Sequence, residues 1–510
     1  MSFLQAMKKG RCRVQYISTR NKKLQVSSAS AIKQGLSEEG GLFVPEKIPA
    51  LSLEDIKQLT GKSYIQRAQA ILKMFLTDFT EEEIRECTEG AYGGGKFSSD
   101  KVAPVVKLNE SAYILELWHG PTCAFKDMAL QILPHFLTTS IKKTGEEKTI
   151  VILVATSGDT GKAALEGFRD VDGAKIMVFY PSDGVSDIQK LQMITQEGAN
   201  VCVSGIHGNF DDAQTGVKKI FTNSSAKEEL SNNNYILSSA NSINWGRLVP
   251  QIVYYISAYC DMLETGDIKL GDKVNVCVPT GNFGNILAAY YAHKMGLPIK
   301  TFICASNKNN VLTDFIQTGK YNKNREFHTT ISPSMDILIS SNLERLLFDL
   351  SDNDDNCVKA CMNDLNESGE YVISETLKHK ISELFWAGCC DDYFTKERIA
   401  KTKAADNYTL DTHTAVAVDV YEQYVKETGD KTKTIIASTA SPFKFGDSVL
   451  DALNIDTKDK TEFELLDLLK DSSGMDIPES LRTLDKKDKR FTSVCDSGKM
   501  LQAVKDFLEI

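Results

Sequence analysis

Lys126 sits in the stretch LELWHGPTCAFKDMALQ, between an apolar strand-like run and an amphipathic helical period. The seam holds Gly120, Pro121, Thr122 and Cys123. A lysine that is partly buried loses hydration worth several kcal/mol unless it is paired or neutral. Such a residue needs a partner or a chemical task.

Two further strand-to-helix turns carry unusual residues. In VPTGNFGNILAAY, Gly281 and Gly284 flank Asn282 and Phe283 where a strand ends and a helix starts, and Asn285 follows. Glycines let backbone N–H groups close on an anion, and a helix N-terminus adds about half a positive charge. A plain glycine turn is the competing reading. The other turn, VATSGDTGKAAL, resembles a nucleotide loop at Gly161-Lys162. It fails as one, because Thr156 stands where the first glycine belongs and Ala163 where a magnesium-binding hydroxyl belongs. Its Ser157 and Thr160 hydroxyls, with the backbone N–H groups of the turn, read better as donors aimed at a carboxylate, or as a helix cap, and the two uses can coexist.

A phosphate cradle, a carboxylate-receiving turn and a lysine near cationic donors together suggest one cofactor. Partial desolvation lowers an amine's pKa and makes it a nucleophile towards an aldehyde. An aldehyde with a phosphate tail, held covalently by lysine, is pyridoxal 5'-phosphate.

The elements that must position these turns alternate through the middle of the chain. Short apolar runs (148–157, 174–181, 199–206, 234–240, 273–280, 299–306) are separated by helical periods. That pattern predicts an α/β core with a parallel sheet covered on both faces, spanning about 100–350. The expected division is an N-terminal domain over 1–97, a catalytic core over 98–360, and a helical C-terminal region over 361–510 that returns a strand at 433–445. The triple glycine Gly93–Gly95 follows a helix, so it reads as a hinge between domains rather than a phosphate loop.

At 510 residues, 42% hydrophobic and 25% charged, the chain has the composition of an ordinary folded protein of more than one domain. The net charge of -10, with both signs interleaved, argues against a nucleic-acid footprint. Twelve cysteines without paired metal spacing read as reduced thiols, and no zinc or other metal site is expected. No signal peptide or membrane span is legible, so the expectation is a soluble, cytoplasmic protein.

The chain resembles the threonine synthase family of fold-type-II pyridoxal-phosphate enzymes over nearly its whole length. The matching stretches, in the family's order, are YISTRN, GLSEEGGLFVPEKIP, HGPTCAFKDMAL, TSGDTGKAAL, HGNFDDAQ, NSINWGRLVPQIVYY, PTGNFGNILAAYYA, SPSMDILISSNLERLLF, DTHTAVA and STASPFKF. The resemblance implies a fold like the tryptophan synthase β-subunit, with parallel and mixed sheets behind a family-specific N-terminal domain. It implies that Lys126 forms the Schiff base with the cofactor and serves as general base and acid. Gly281, Asn282, Phe283, Gly284 and Asn285 would hold the cofactor phosphate, and Thr439 would face the pyridine nitrogen. Ser157, Gly158, Asp159 and Thr160 match the substrate-carboxylate loop, and Arg247 with Asn241 and Asn244 match a clamp for the substrate phosphate. Two positions depart from the usual pattern: Asn21 follows STR in place of glycine, and Ser441 stands where some members have histidine.

The activity so implied is a carbon–oxygen lyase reaction, the last step of threonine biosynthesis. O-phospho-L-homoserine and water give L-threonine and phosphate by γ-elimination and β-addition of water. Lys126 would take the Cα proton and return it. The partner is the small-molecule substrate, with no nucleic acid or membrane, in a monomer or homodimer. A phospho-lyase giving 2-oxobutyrate, ammonia and phosphate is the alternative on the same scaffold. A catalytically dead binding relative is a third, which retention of Lys126, the glycine turn and Thr439 argues against.

Overall fold

The computed structural model describes residues 13–510 except 157, 183 and 184, and leaves out the side chain of residue 211. Strands β1 (Tyr16–Ser18), β2 (Asn21–Val26) and β3 (Phe43–Pro45) form a small antiparallel sheet in the order β2-β1-β3. Strands β4 (Val105–Lys107) and β5 (Ala112–Glu116) open the first large sheet; β6 (Thr149–Ala155), β7 (Ala174–Pro181), β8 (Val201–His207) and β9 (Tyr235–Ser238) build the second. The chain then returns to the first with β10 (Val274–Pro279) and β11 (Ile299–Ser306), makes a two-stranded excursion with β12 (Lys320–Asn322) and β13 (Glu370–Val372), and supplies β14 (Phe385–Cys389) and β15 (Thr434–Ser438). Strand β16 (Val494–Asp496) finishes the second sheet.

The six-stranded sheet has the order β14-β11-β10-β15-β5-β4, parallel except for β4. The five-stranded sheet, β16-β8-β7-β6-β9, is parallel throughout. This is the α/β architecture the alternating sequence demands. Side chains alternate between cores because successive strand residues point to opposite faces. On the six-stranded sheet, Val276, Val278, Phe302, Ile435 and Leu115 enter the main core with the Trp245–Glu264 and Gly284–Met295 helices. Cys277, Ile303, Ile436 and Ile114 enter a second core with the Thr412–Thr428 helix. The five-stranded sheet divides likewise: Ile152, Val154 and Val178 join the main core, while Val151, Leu153 and Phe179 enter a third core with the Phe210–Thr222 and Met500–Leu508 helices.

Strand β15 lies between β10 and β5, in the middle of the first sheet, with Ile436 beside both Cys277 and Ile114. The expected C-terminal strand is therefore an integral part of the six-stranded sheet. The expected boundary at 360/361 falls inside the continuous Asp355–Glu367 helix, where the backbone makes no break. The triple glycine ends the Glu81–Tyr92 helix, with Gly94 and Gly95 at φ 67° and 70°. Among the described residues, no helix is long and apolar enough to cross a membrane, and no cluster of ligands could hold a metal ion. The cysteines described are free thiols.

Candidate active site

The chemistry-bearing turns all leave the C-terminal ends of parallel strands, where open α/β sheets gather ligands. Strand β5 leads to Lys126, β6 to Asp159, β10 to Gly281–Asn285, and β15 to Thr439. The Lys126 turn is stitched to the end of β15. Phe125 N–H donates to the Thr439 carbonyl at 2.8 Å, Ser441 N–H donates to Cys123 O at 3.0 Å, and Ala124 pairs with Ala440. Thr439 and Lys126 are thereby neighbours through backbone bonds. Cys123 makes the turn with φ 59°, a left-handed conformation uncommon outside glycine.

Lys126 is 9% exposed. Its Nζ donates to Ser334 Oγ at 3.1 Å and stands 3.7 Å from Asp159 Oδ2. Burial lowers its pKa; Asp159 opposes the shift, and Lys444 and Arg247 reinforce it. Asp159 faces the reverse balance. Burial alone would raise its pKa, but Lys444 and Lys126 hold it well below the usual carboxylate range. The Lys444 ammonium, fully buried, lies 2.5 Å from Asp159 Oδ1, and Gln189 Nε2 donates to the same oxygen at 3.0 Å. Gly158, at φ 142°, precedes Asp159, and a Cβ there would strike the Gln189 amide at 2.5 Å. Ser157 lies outside the described residues. Thr160 is half-buried in the first turn of the Asp159–Phe168 helix.

The glycine turn presents the N-terminus of the Gly284–Met295 helix, with Phe283 at φ 61° as its cap. A Cβ on Gly281 would lie 2.8 Å from the Ser334 carbonyl, so only glycine lets these two backbone segments approach. Asn285 Oδ1 accepts from both the Tyr254 and Tyr255 hydroxyls, at 2.6 and 2.5 Å. That fixes the amide with Nδ2 as the remaining donor, buried and without a partner among the described residues. An unspent amide in the first turn of a helix, behind a glycine cradle, fits the phosphate tail of pyridoxal phosphate. From the outside, Ser340 Oγ donates to Gly281 O at 2.7 Å, and Asn342 donates to Asn282 O from its backbone at 3.1 Å and its side chain at 3.0 Å.

The expected clamp divides. Arg247 is 4% exposed; among the described residues it has no carboxylate partner and leaves Nε unbonded while Nη1 donates to Ala240 O at 2.6 Å. Burial lowers its pKa to about 10. A buried guanidinium with unspent donors suits an incoming anion. Asn241 is exposed nearby in sequence. Asn244 is different: its Oδ1 caps the Trp245–Glu264 helix by accepting from Gly246 N–H at 2.8 Å, and its Nδ2 donates to Ile32 O at 2.9 Å. Both ends of that amide are committed to bonds within the fold.

Several site residues were not singled out in the sequence. Ser334, on the Pro333–Met335 turn, is held by His413, whose Nε2 accepts the Ser334 backbone N–H at 3.2 Å. His413 Nδ1 in turn faces Asp411 Oδ1 at 3.0 Å. Lys444 and Arg345 are further additions. Arg345 is wholly buried and donates to Phe43 O, Ile243 O and Asn342 Oδ1, tying β3 and the loop before Arg247 to the back of the glycine turn. These residues lie within SPSMD, DTHTAVA, STASPFKF and NLERLLF, but the pairings that join them to the site cross 79 residues for Ser334 and His413, 302 for Arg345 and Phe43, and 322 for Lys444 and Thr122, and no local spacing announces them.

The chain is similar to known proteins along most of its length. The family described as "Threonine synthase N terminus" matches residues 15–92, "Pyridoxal-phosphate dependent enzyme" matches 99–363, and "Threonine synthase, C-terminal" matches 414–508. Human "Threonine synthase-like 1" is 44% identical over 452 residues, covering 86% of this chain but 60% of that protein, so the chain spans about 60% of the length of such relatives. "Threonine synthase" of Pseudomonas aeruginosa is 38% identical over 86% of this chain and 90% of its own. The crystal structure of threonine synthase from yeast superposes with a TM-score of 0.87 at 33% identity, covering 98% of this chain and 99% of that one. The PLP-bound threonine synthase from Brucella melitensis gives 0.86 at 35% identity, covering 97% and 99%.

Proposed function

The chain belongs to the threonine synthase family of pyridoxal-phosphate-dependent enzymes, and on that premise we propose that it converts O-phospho-L-homoserine and water into L-threonine and phosphate. Its cofactor is pyridoxal 5'-phosphate. The observation that carries the proposal is a single amine, Lys126, buried beside Asp159 and Ser334 and within the fields of Lys444 and Arg247. Its lowered pKa supports capture of the cofactor aldehyde near neutrality.

When bound, the cofactor supplies an electron sink for carbanion chemistry on an amino-acid substrate. In this reading the N–H groups of Gly281–Asn285 and the Asn285 amide would hold its phosphate, and Thr439 would offer a hydroxyl to its ring nitrogen. A neutral hydroxyl leaves that nitrogen less protonated than a carboxylate would, which favours elimination over transamination. The turn at Gly158–Thr160 receives the substrate carboxylate, and Arg247 draws the substrate phosphate. Lys126 Nζ removes the proton from the substrate Cα and later returns it, with Ser334 Oγ orienting the amine between the two transfers. Asp159, kept ionised, supports the ammonium form that Lys126 passes through.

A small-molecule enzyme working in the cytosol, as monomer or homodimer, is the setting that goes with this reading. Its test is product analysis. The cofactor-loaded protein is incubated with O-phospho-L-homoserine, and amino acids and keto acids are separated by chromatography. Threonine and phosphate in equal amounts are expected; 2-oxobutyrate with ammonia as the main products would replace the synthase reading with the phospho-lyase, and no turnover would remove both.

A further inference from the structure

The turn that is to receive a carboxylate carries a carboxylate of its own. Asp159 is 5% exposed and ionised. Left alone, it would repel an incoming anion and would hold Lys126 as an ammonium, the form that cannot attack an aldehyde. The structure answers this with a second lysine. Lys444, on the Pro442–Phe445 turn just beyond β15, has a fully buried side chain; its Nζ is 2.5 Å from Asp159 Oδ1 and donates to Thr122 O at 3.1 Å. Asp159 thus shares one oxygen with Lys444 and turns the other towards Lys126, at the longer distance of 3.7 Å.

We propose that Lys444 is a positioning residue: by neutralising Asp159 it makes this turn accept an anion and leaves the Lys126 amine free to react. The identity of that anion as a substrate carboxylate rests on the function proposed above; the effect on Lys126 does not. The charged and titratable groups facing the pair are Lys126 and Arg247 on the cationic side, and Asp127 and the Cys123 thiol on the other. Asp127 accepts from the Thr122 N–H and hydroxyl at 2.8 Å each, and burial raises its pKa to about 7. Burial also raises the Cys123 thiol, to about 11. Neither is bonded to Lys444, so Asp159 is its only described ion-pair partner.

Three variants decide the matter: Lys444→Met, Lys444→Arg, and Asp159→Asn combined with Lys444→Met. The first readout is independent of substrate. Apoprotein is mixed with pyridoxal phosphate across a pH series, and the pH of half-maximal bound-cofactor absorbance is recorded. In Lys444→Met, Asp159 falls wholly to Lys126, so the midpoint moves up by about one pH unit; in the double variant and in Lys444→Arg it returns to the parent value. The second readout is calorimetric affinity of the loaded protein for L-threonine and for L-threoninol, which lacks the carboxylate. Lys444→Met weakens L-threonine about tenfold or more and leaves L-threoninol unchanged, and the double variant recovers. An unmoved midpoint in Lys444→Met, or a double variant as impaired as the single one, overturns the proposal. A parent protein that captures cofactor but binds neither amino compound counts against the threonine reading, while the midpoints still decide the role of Lys444. Should Lys444→Met not fold, the double variant must match the parent in both readouts, and its failure to do so is equally decisive.

Discussion

His413 fixes Ser334 by a bond in which the imidazole is the acceptor: Nε2 takes the Ser334 backbone N–H at 3.2 Å. Asp411, against Nδ1 at 3.0 Å, holds the ring proton on that side. Ser334 is then placed to accept from Lys126 Nζ at 3.1 Å, so the reactive amine is oriented from 79 residues further along than the turn that touches it. His413→Ala removes the acceptor and leaves a buried N–H unpaired, a loss of about 1–3 kcal/mol. The expected outcome is a fall in kcat of about tenfold or more, with cofactor still bound. His413→Gln, which restores an acceptor, should recover part of it. Equal losses in both variants would remove the orienting role.

Under the proposed function, Lys126→Ala takes away nucleophile and proton carrier together. Turnover should fall by about 10⁴-fold or more. Borohydride reduction of the parent, followed by peptide mapping, should place a pyridoxyl label on Lys126, and the variant should carry none there.

At Gly281, alanine would bring its Cβ to 2.8 Å from the Ser334 carbonyl, backbone against backbone, with no flexible side chain to yield. The two segments must part, which opens the cradle. Gly281→Ala is expected to weaken pyridoxal phosphate binding by about tenfold or more, read by fluorescence titration of the apoprotein, while global unfolding shifts by only about 1–3 kcal/mol.

Arg345 is a structural tie with its guanidinium spent on three backbone or amide oxygens from distant segments. Arg345→Met strands those oxygens in the interior and should cost about 3 kcal/mol or more. Chemical denaturation measures this directly. Because one of the three is Asn342, which backs the glycine turn, cofactor affinity should fall along with stability.

Acid should act through Glu166. Burial raises its pKa, but Lys162 at 2.9 Å, Arg169 and Gln196 outweigh that and bring it from 4.5 to about 2. A carboxyl lowered in the folded state stabilises fully above its unfolded value and loses that contribution as pH falls. Here the loss runs from near 4.5 down through about 2, and its ceiling is about 3 kcal/mol. Lys162 returns part of this, since its own burial outweighs Glu166 and lowers its pKa. Glu166→Gln should therefore be less stable than the parent at pH 7, with the gap closing between pH 4.5 and 2 in denaturant titrations.

The inner strands of the two large sheets were the most legible part of the sequence, because both faces of each are buried. The runs at 174–181 and 299–306 match β7 and β11 to the residue, and continuous apolar character leaves little else for them to be. Lys126, Gly281 and Asp159 stood out because each breaks a strand-to-helix seam with a residue that local packing does not call for. Asn244 shows the opposite ambiguity. An asparagine preceding a helix and close to an arginine suggests ligand contact, yet a cap uses the same residue type for a local purpose, and here the cap holds it. Lys444 and His413 were hidden for a different reason. Their meaning comes only from partners on other strands' ends, and a lysine or histidine inside an ordinary helical or turn segment carries no mark of that.

The place of β15 has a consequence for the newly made chain. Residues 434–438 fill a slot between strands made some 160 and 320 residues earlier, so until they leave the ribosome β5 and β10 each present an unpaired edge. The carbonyl that receives Phe125 N–H, and the ammonium that quiets Asp159, arrive with the same segment. A nascent polypeptide stalled before residue 434 therefore has most of its hydrophobic interior but no assembled catalytic centre, and its open sheet is a surface for chaperones or for its own aggregation.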